Sequence, residues 1–227
     1  MNYVISLKRT PERLKKFLEQ NRQIQFKIFE AIDGSQIRPE GNYSNSALGT
    51  ALSHLSLWQK CIDLDRPITI FEDDAILHMD FFKISQSLMN RKFDFIAWGW
   101  NYDSDLWASP LPFLSAARFT FNQDSLRFNK SRYLENQVEC ILMKLYNYCG
   151  IMGYSISPKG AAILIKECIP LREIINIEIE NYGTMTIRPQ GIDSAMPAAY
   201  QKMTECYVCF PPICISENDK STSTIQK

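Results

Sequence analysis

Short apolar runs alternate with longer stretches of helical periodicity along most of the chain. The clearest pattern predicts a helix over 47–64, which Pro67 follows. Its apolar stripe consists of Leu48, Ala51, Leu55, Trp58 and Ile62. Further helices are predicted to begin at Pro11 and to cover 81–89, 132–148, 157–168 and 193–203. Strands are predicted over 3–7, 25–29, 68–71, 93–97, 151–156 and 207–210.

Strands that alternate with helices indicate an α/β fold with a mainly parallel central sheet flanked by helices. Ligands of such sheets bind beyond the carboxyl ends of the strands. The 227 residues suffice for one domain, predicted over 1–216 and followed by a polar tail over 217–227. Residues 101–145 are predicted to contain a functional insertion or a flap, because their irregular, aromatic-rich start is too long for an ordinary connection.

Three consecutive carboxylates, Glu72, Asp73 and Asp74, follow the apolar run 68–71 directly. Burying them unpaired would be costly, and a divalent cation would offset both that cost and their mutual repulsion. Oxygen ligands favour Mg²⁺ or Mn²⁺. Because side chains alternate along an extended chain, Glu72 and Asp74 are expected to share the metal. Asp73 would then cap a turn or meet a basic residue. The alternative is a solvated acidic turn before the next helix.

Two further polar positions are candidates for chemistry. His54 borders the apolar stripe of the helix over 47–64, so it is either a half-buried imidazole with a backbone partner or, with Ser53, a neighbour of a nucleotide or metal. Asp193 follows Gly191 and precedes a helical run. This position suits a helix N-cap, and it suits a general base if the carboxylate faces the site.

Four large aromatic residues stand within ten positions, interleaved with Gly, Asn and Asp: Trp98, Trp100, Tyr102 and Trp107. Aromatic faces suit the apolar faces of sugar rings, while amides and carboxylates reach the hydroxyls. Trp98, Trp100 and Tyr102 are therefore candidates for binding a saccharide. The alternative is a loop folded over the core.

Composition narrows the classes of partner and compartment. The formal net charge is zero, so nothing in the overall charge favours nucleic acid as a partner. No stretch reaches the roughly 18 apolar residues that span a bilayer, and the N-terminus lacks the basic start of a signal peptide. Seven cysteines, an odd number, suit free thiols in a reducing compartment, so a cytoplasmic location is expected. A zinc site at Cys206, Cys209 and Cys214 would need a fourth ligand, and buried thiols are the preferred interpretation.

Six blocks of the sequence, in order, resemble the family-25 glycosyltransferases, the bacterial lipooligosaccharide galactosyltransferase group. The blocks are 4–13, 29–34, 49–58, 70–75, 150–161 and Asp193. The third is similar to the family's Gly-x-x-x-Ser-His-x-x-x-Trp helix, and the fourth to its acidic motif. Residues 100–145 match none of these blocks. The resemblance implies a GT-A-like fold, a UDP-sugar donor, a divalent metal (Mn²⁺ or Mg²⁺) and inversion at the anomeric carbon, usually with galactose transferred.

The resemblance also implies roles for individual residues. Glu72 and Asp74 would hold the metal, and Asp193 would take the proton of the acceptor hydroxyl. The expected donor-binding residues are Ser6, Leu7, Arg9, Arg13, Ala31, Asp33, Ser53, His54 and Asp73. The acceptor would be a lipid-linked oligosaccharide, which would bring the enzyme against the inner membrane face. Two alternatives remain: a metal-dependent phosphoesterase or nuclease, and a non-catalytic carbohydrate-binding module that uses the tryptophans.

Overall fold

Helices flank a central mixed sheet in the computed structural model, which describes residues 1–39, 41–111 and 115–218. The strands are β1 (Asn2–Ser6), β2 (Lys27–Glu30), β3 (Ile68–Glu72), β4 (Ile76–Leu77), β5 (Phe95–Ala97), β6 (Leu106–Ser109), β7 (Ala117–Phe119), β8 (Ile141–Asn147), β9 (Gly153–Ile156), β10 (Ile175–Ile179), β11 (Gly183–Ile187), β12 (Cys206–Phe210) and β13 (Cys214–Ile215). The helices are α1 (Pro11–Gln20), α2 (Asn45–Asp63), α3 (Phe81–Met89), α4 (Gln123–Glu135), α5 (Pro158–Cys168), α6 (Ile192–Ala195) and α7 (Pro197–Tyr200).

The central sheet has nine strands in the order β2-β1-β3-β9-β5-β12-β8-β6-β7. The pairs β1–β2, β1–β3 and β5–β12 are parallel, and the other neighbouring pairs are antiparallel. Most strands nevertheless run in one direction, because only β9, β8 and β7 oppose the rest. The expected α/β fold, with a central sheet flanked by helices, is confirmed. The antiparallel strands make the sheet mixed.

Strands β1, β2 and β3 place their carboxyl ends at one edge of the sheet. Ile5 of β1 is in register with Glu72 of β3, and Ser6 is in register with Glu30 of β2. Residues 68–71 of β3 are fully buried, as expected for a strand covered on both faces. The acidic triplet therefore lies where the buried strand reaches the surface, next to the ends of β1 and β2.

Helix α2 packs directly against the loop that follows β2. It begins at Asn45, two residues before the predicted start, because the Ser44 hydroxyl accepts the backbone N–H of Ala47 at 3.1 Å. A Cβ on Gly49 would lie 2.6 Å from the carbonyl oxygen of Ile32, so only glycine allows this approach. The close packing sets one wall of the cleft described below.

Residues 101–145 contain β6, β7, α4 and the first part of β8, and these strands extend the central sheet. The helix predicted over 132–148 is wrong: α4 ends at Glu135, and 141–147 form β8. Leu134, Val138 and Leu145 do recur at helical spacing, but pairing of this segment with β12 and β6 prevails. Residues 112–114 lie outside the described ranges.

Two other segments also differ from the prediction. The helix expected over 193–203 is divided into α6 and α7 at Pro197, which occupies the first position of α7. A hairpin of β10 and β11 was not predicted. Its signal is present in the sequence, because Ile175, Ile177 and Ile179 alternate with polar residues and are buried.

All seven cysteines are free thiols. Cys206, Cys209 and Cys214 are buried in β12 and β13, as the buried-thiol interpretation predicts. None of the helices in the described ranges is long and apolar enough to cross a membrane. Of the polar tail predicted over 217–227, residues 219–227 lie outside the described ranges.

Candidate active site

Two pockets meet at the acidic triplet. The first, here called the strand-end pocket, has a volume of about 840 Å³ and lies at the carboxyl ends of β1, β2 and β3. Its lining comprises Ile5, Ser6, Leu7, Arg9, Thr10, Arg13, Ala31, Ile32, Gly34, Ser46, Thr50, Ser53, Glu72, Asp73, Asp74 and Asn218. It brings together blocks that lie far apart in the sequence.

The second, here called the wide pocket, has a volume of about 1580 Å³. It shares Thr50, Glu72, Asp74 and Asn218 with the strand-end pocket, so the two form one continuous cleft. The rest of its lining comes from the segment leading into α2 and its first turn, from the loops that follow β5 and β8, from residues 190–194 at the start of α6, and from Ser216. Two molecules bound in these pockets would meet at Glu72 and Asp74.

Glu72 and Asp74 both line the two pockets, although residues 73–74 form a turn after β3 and not the extended chain on which the expectation was based. Enclosure by the walls of the cleft, and then the negative charge of Glu72, raise the pKa of Asp74 to about 6. Asp74 still keeps accessible surface, because both pockets open onto it. The Ser216 hydroxyl donates to its Oδ2 at 3.1 Å. The pair is thus a site of concentrated negative charge that substrates can reach.

Asp73 turns away from this pair and is held by two partners. The Ser6 hydroxyl donates to its Oδ2 at 2.7 Å, and the Arg13 guanidinium pairs with its Oδ1 at 2.6 Å. Burial raises the pKa of Asp73, and Arg13 acts in the opposite direction. Asp73 therefore meets a basic residue, one of the two expectations from the sequence. All three side chains also line the strand-end pocket.

Replacing Arg13 with Met is expected to lower the free energy of unfolding by about 2 kcal/mol. The change leaves a buried carboxylate with one hydrogen bond, and breaking a fully buried pair costs ~3–5 kcal/mol. This loss of stability should be smaller at pH 5 than at pH 8. Because the pKa of Asp73 is raised, its carboxylate takes up a proton more readily as the pH falls, and the unpaired charge disappears. Urea denaturation at both pH values measures this.

The control is Arg9→Met. Arg9 pairs with Asp33 at 3.0 Å, but both side chains are substantially exposed, so the loss should stay below about 1 kcal/mol. Equal losses for the two variants, or a deficit for Arg13→Met that does not depend on pH, would contradict the prediction.

The other predicted donor residues lie in or beside the strand-end pocket, with one exception. Leu7, Ala31 and Ser53 line the pocket, and the Ser53 hydroxyl accepts the backbone N–H of Ile32 at 2.8 Å. Arg9 lines it as well, and its partner Asp33 caps the short turn at Gly34–Gln36 by accepting the N–H of Ser35. These residues hold the loop after β2 against α2.

His54 is the exception. It is fully buried and lines neither pocket, so the expectation that it contacts a donor directly is wrong. Its helix turns the ring toward the core, where Nδ1 lies 2.7 Å from the Tyr154 hydroxyl. Its Nε2 points to Glu72 Oε1 at 3.6 Å. His54 therefore contacts the acidic pair from the protein side.

Asp193 lines the wide pocket at the start of α6. Its Oδ2 accepts the backbone N–H of Gly150 at 3.1 Å, and its Oδ1 accepts that of Ser194 at 2.8 Å. Burial raises its pKa, the two N–H groups act in the opposite direction, and the charge of Glu72 raises it further. Gly150 has φ +86, a conformation that favours glycine, and a Cβ there would collide with Asn101.

The predicted aromatic binding residues do not reach the cleft. Trp98 and Trp100 are 0% and 1% exposed and belong to the core, so their assignment to an acceptor is wrong. Trp98 donates to the Ser155 hydroxyl at 2.9 Å, and Trp100 stacks on Phe210. Tyr102 is half-buried, stacks with Trp100 and lines neither pocket. The large apolar areas of these rings are used in packing the core.

Several lining residues were missed by sequence reasoning. Thr50 lies one turn before Ser53 on α2, and the spacing of that helix was enough to indicate it. Asn101, Asp103, Gln190 and Asn218 come from loops, whose positions only the folded chain defines. Asn218 lies in the segment predicted as a tail, and the Arg127 side chain holds its carbonyl at 2.8 Å.

The acidic pair fits a divalent cation. No group of three or more His, Cys, Asp or Glu side chains in the described ranges forms a complete metal site. Mg²⁺ in nucleotide enzymes, however, is held by one or two carboxylates together with substrate phosphates and water. Glu72 and Asp74 supply two carboxylates at the junction of the pockets.

The central sheet and the acidic cleft at its strand ends define an α/β enzyme rather than a binding module built on exposed aromatic rings. A family model described as "Glycosyltransferase family 25 (LPS biosynthesis protein)" matches residues 1–179. The chain belongs to this family and is a glycosyltransferase of lipopolysaccharide biosynthesis. The match sets aside the phosphoesterase and carbohydrate-binding alternatives. A nucleotide-sugar donor and a saccharide acceptor follow from the class of enzyme.

The comparisons with individual proteins add little. No curated protein matches the chain. A crystal structure of the protein A197 from STIV is 13% identical, covers 95% of this chain and 85% of that chain, and gives a TM-score of 0.41. A nucleoside-diphosphate-sugar pyrophosphorylase from Vibrio cholerae RC9 is 14% identical, with coverages of 95% and 76% and a TM-score of 0.38. Both similarities are weak.

Proposed function

We propose that the enzyme is an inverting galactosyltransferase of GT-A-like fold that uses UDP-galactose in lipooligosaccharide synthesis. One observation carries the proposal: the two pockets meet at Glu72 and Asp74, and they differ in charge. Arg9 and Arg13 line the strand-end pocket, whereas no Lys or Arg among the described residues lines the wide pocket. A diphosphate suits the first environment and an uncharged saccharide the second.

The donor would bind in the strand-end pocket. Its uracil and ribose would lie against the loop after β2, near Ala31 and Asp33, and against Ser6 and Leu7 at the end of β1. Arg9 would reach the diphosphate at the low cost of leaving an exposed ion pair. Arg13 and Asp73 would mainly fix the wall of the pocket, because their buried pair is stronger. Ser53 would hold the backbone at Ile32 in place.

A Mn²⁺ or Mg²⁺ ion would be held by Glu72 and Asp74 at the junction of the pockets. When bound, such an ion neutralises negative charge on the departing diphosphate. Ser216 orients one oxygen of Asp74 through its hydroxyl. Ser216 and Asn218 line the wide pocket and would help to exclude water from the donor.

The acceptor would bind in the wide pocket, with its reacting hydroxyl directed toward Asp193. A single displacement needs one base and no covalent intermediate, and it inverts the anomeric carbon. Each oxygen of Asp193 keeps a lone pair beside the N–H that it accepts, so the carboxylate can still take a proton. The acceptor proposed here is the saccharide of a lipid-linked oligosaccharide, which would place the enzyme in the cytoplasm at the inner membrane face.

The proposal is tested by thermal unfolding with a panel of sugar nucleotides, with and without Mn²⁺. UDP-galactose with Mn²⁺ should raise the melting temperature most, because a ligand that binds only the folded state stabilises it by mass action. A transfer assay with UDP-α-galactose should then give a β-linked product, read from its anomeric proton by NMR. An α-linked product, or stabilisation by a nucleotide other than UDP, would contradict the proposal.

An acceptor that carries a carboxylate or sulfate should be a poorer substrate than its neutral parent. Asp103 and Asp193 line the wide pocket, and unit charges about 8 Å apart at an effective dielectric constant of about 20 repel by ~2 kcal/mol. After screening, kcat/KM should fall by about tenfold. Steady-state rates with a neutral disaccharide and its sulfated form measure the ratio.

In Asp103→Asn, the values of kcat/KM for the neutral and the sulfated acceptor should lie closer together than in the wild type. Asp105→Asn is the matched control, because Asp105 lines neither pocket. Equal rates with the neutral and sulfated acceptors in the wild type would show that this pocket does not select by charge.

A further inference from the structure

Behind the acidic pair lies a buried group of three aromatic side chains that the proposed mechanism does not yet use. His54 and Trp58 stand one turn apart on α2, and Tyr154 lies opposite them on β9. All three are 0% exposed. The Tyr154 hydroxyl is 2.8 Å from Trp58 Nε1 and 2.7 Å from His54 Nδ1. The rings of His54 and Tyr154 are stacked, with centroids 5.7 Å apart.

The hydrogen bonds determine which nitrogen of His54 carries the proton. The indole N–H of Trp58 can only donate, so the Tyr154 oxygen accepts it. Among the described contacts, the other acceptor within reach of the Tyr154 proton is His54 Nδ1. If Tyr154 donates to Nδ1, the proton of the neutral imidazole is on Nε2. The opposite tautomer would leave the buried tyrosine proton unpaired and turn a nitrogen lone pair toward a carboxylate, and both are costly.

The proton on Nε2 points at Glu72. The distance from Nε2 to Glu72 Oε1 is 3.6 Å, and Nε2 has no hydrogen-bond partner although it is completely buried. A shift of the Glu72 carboxylate by about half an ångström would form a normal N–H···O bond. Hydrogen bonds of this kind are often long without substrate and shorten in the complex. Glu72 is half-buried and faces the cleft, so it has room to move.

We infer that Tyr154 and His54 are positioning residues that hold the Glu72 carboxylate in the orientation required to bind the metal and the donor diphosphate. Trp58 fixes Tyr154, Tyr154 fixes the tautomer of His54, and the Nε2–H of His54 directs one oxygen of Glu72. The other oxygen of Glu72 stays available in the cleft. The inference rests on the proposed function, because it gives Glu72 its role through the metal and the diphosphate.

Nitrogen-15 NMR of the histidine rings tests the tautomer without any activity measurement. The chain has only two histidines, so the signals are easily assigned. His78 is an internal reference: its Nε2 lies 2.7 Å from the carbonyl oxygen of Asn136, and its Nδ1 accepts the N–H of Asp80 at 3.1 Å. Both rings should show the Nε2–H form in the wild type. Detection of the Nδ1–H form at His54 would overturn the inference.

Tyr154→Phe removes one hydroxyl and leaves the ring in place. His54 should then lose its single tautomer, and the affinity for Mn²⁺ in the presence of UDP should fall by about 10- to 100-fold, the usual effect of losing a group that orients a metal ligand. Isothermal titration measures the affinity. The affinity for UDP alone should change less, because the residues of the strand-end pocket are untouched.

Tyr148→Phe is the matched control, because Tyr148 is also a fully buried tyrosine of the same core and is not part of this group. It should keep the wild-type affinity for Mn²⁺ with UDP. Equal affinity in Tyr154→Phe and the wild type, or equal losses in Tyr154→Phe and Tyr148→Phe, would overturn the inference. If Tyr154→Phe does not fold, the tautomer of His54 in the wild type decides whether the inference holds. Failure of the wild type to bind UDP would overturn the proposed function and the inference together.

Discussion

Replacing Asp74 with Asn should lower the rate of sugar transfer by about three orders of magnitude. The change removes one of the two carboxylates that face both pockets, and losing a group that stabilises charge in the transition state costs about 10²- to 10³-fold or more. Binding of Mn²⁺ should weaken in parallel. Steady-state transfer rates and isothermal titration with Mn²⁺ and UDP measure the two effects.

The pH dependence of the wild type gives an independent check on Asp74. Because its pKa is raised to about 6, the carboxylate takes up a proton as the pH falls through this value. The affinity for Mn²⁺ should therefore decline below about pH 6, well above the pH at which an ordinary Asp protonates. In Asp74→Asn this decline should be much shallower.

A control variant that loses one negative charge outside the cleft distinguishes a loss of catalysis from a general loss of stability. Asp124→Asn serves, because Asp124 is exposed on α4 and pairs with Arg127. Its transfer rate and melting temperature should match those of the wild type. Transfer that survives in Asp74→Asn at more than about a tenth of the wild-type rate would remove Asp74 from the proposed mechanism.

The acidic triplet shows what the sequence could predict about the site. The sequence predicted that Asp73 could meet a basic residue, and Arg13 pairs with it. The alternation that was expected to place Glu72 and Asp74 together needs an extended chain, but residues 73–74 form a turn after β3. The order of strands and helices predicted a cleft at the carboxyl ends of β1 and β3. Both predictions depend on neighbours in sequence or on a general rule of sheet geometry.

The aromatic segment shows where such reasoning fails. Trp98 and Trp100 have the composition of a sugar-binding surface, but whether an indole faces a cleft or the core depends on strands that pair over long sequence distances. Here β5 lies between β9 and β12, and this arrangement buries both rings. The same limit applies to β8, whose helical spacing was overridden by its partners in the sheet.

His54 shows both what the sequence can predict and what it cannot. The sequence placed it at the border of the apolar stripe of α2, and the structure buries the ring completely. It could not show the direction of the ring, because Tyr154 is 100 residues away in the chain. Residues that contact substrate and residues that support them from behind share the same helical spacing, and only the folded structure distinguishes them.

Replacing Asp193 with Asn should lower kcat by about 1000-fold, within the 10²- to 10⁴-fold range of general-base catalysis. Donor affinity should change little, because Asp193 lines only the wide pocket. Burial raises the pKa of Asp193, which makes it a better proton acceptor than an exposed carboxylate. The amide cannot accept a proton at neutral pH, although its oxygen can still accept one backbone N–H.

The rival explanation for such a loss is structural, since the carboxylate also accepts the N–H groups of Gly150 and Ser194. An amide would leave one of them facing an NH₂ group, at a cost of about 1–3 kcal/mol in stability. The two explanations differ in acceptor binding, because Gly150 and Ser194 also line the wide pocket. A lost base leaves the KM for the acceptor close to the wild-type value, whereas a distorted loop raises it. A kcat within tenfold of the wild type would assign the proton transfer to another group.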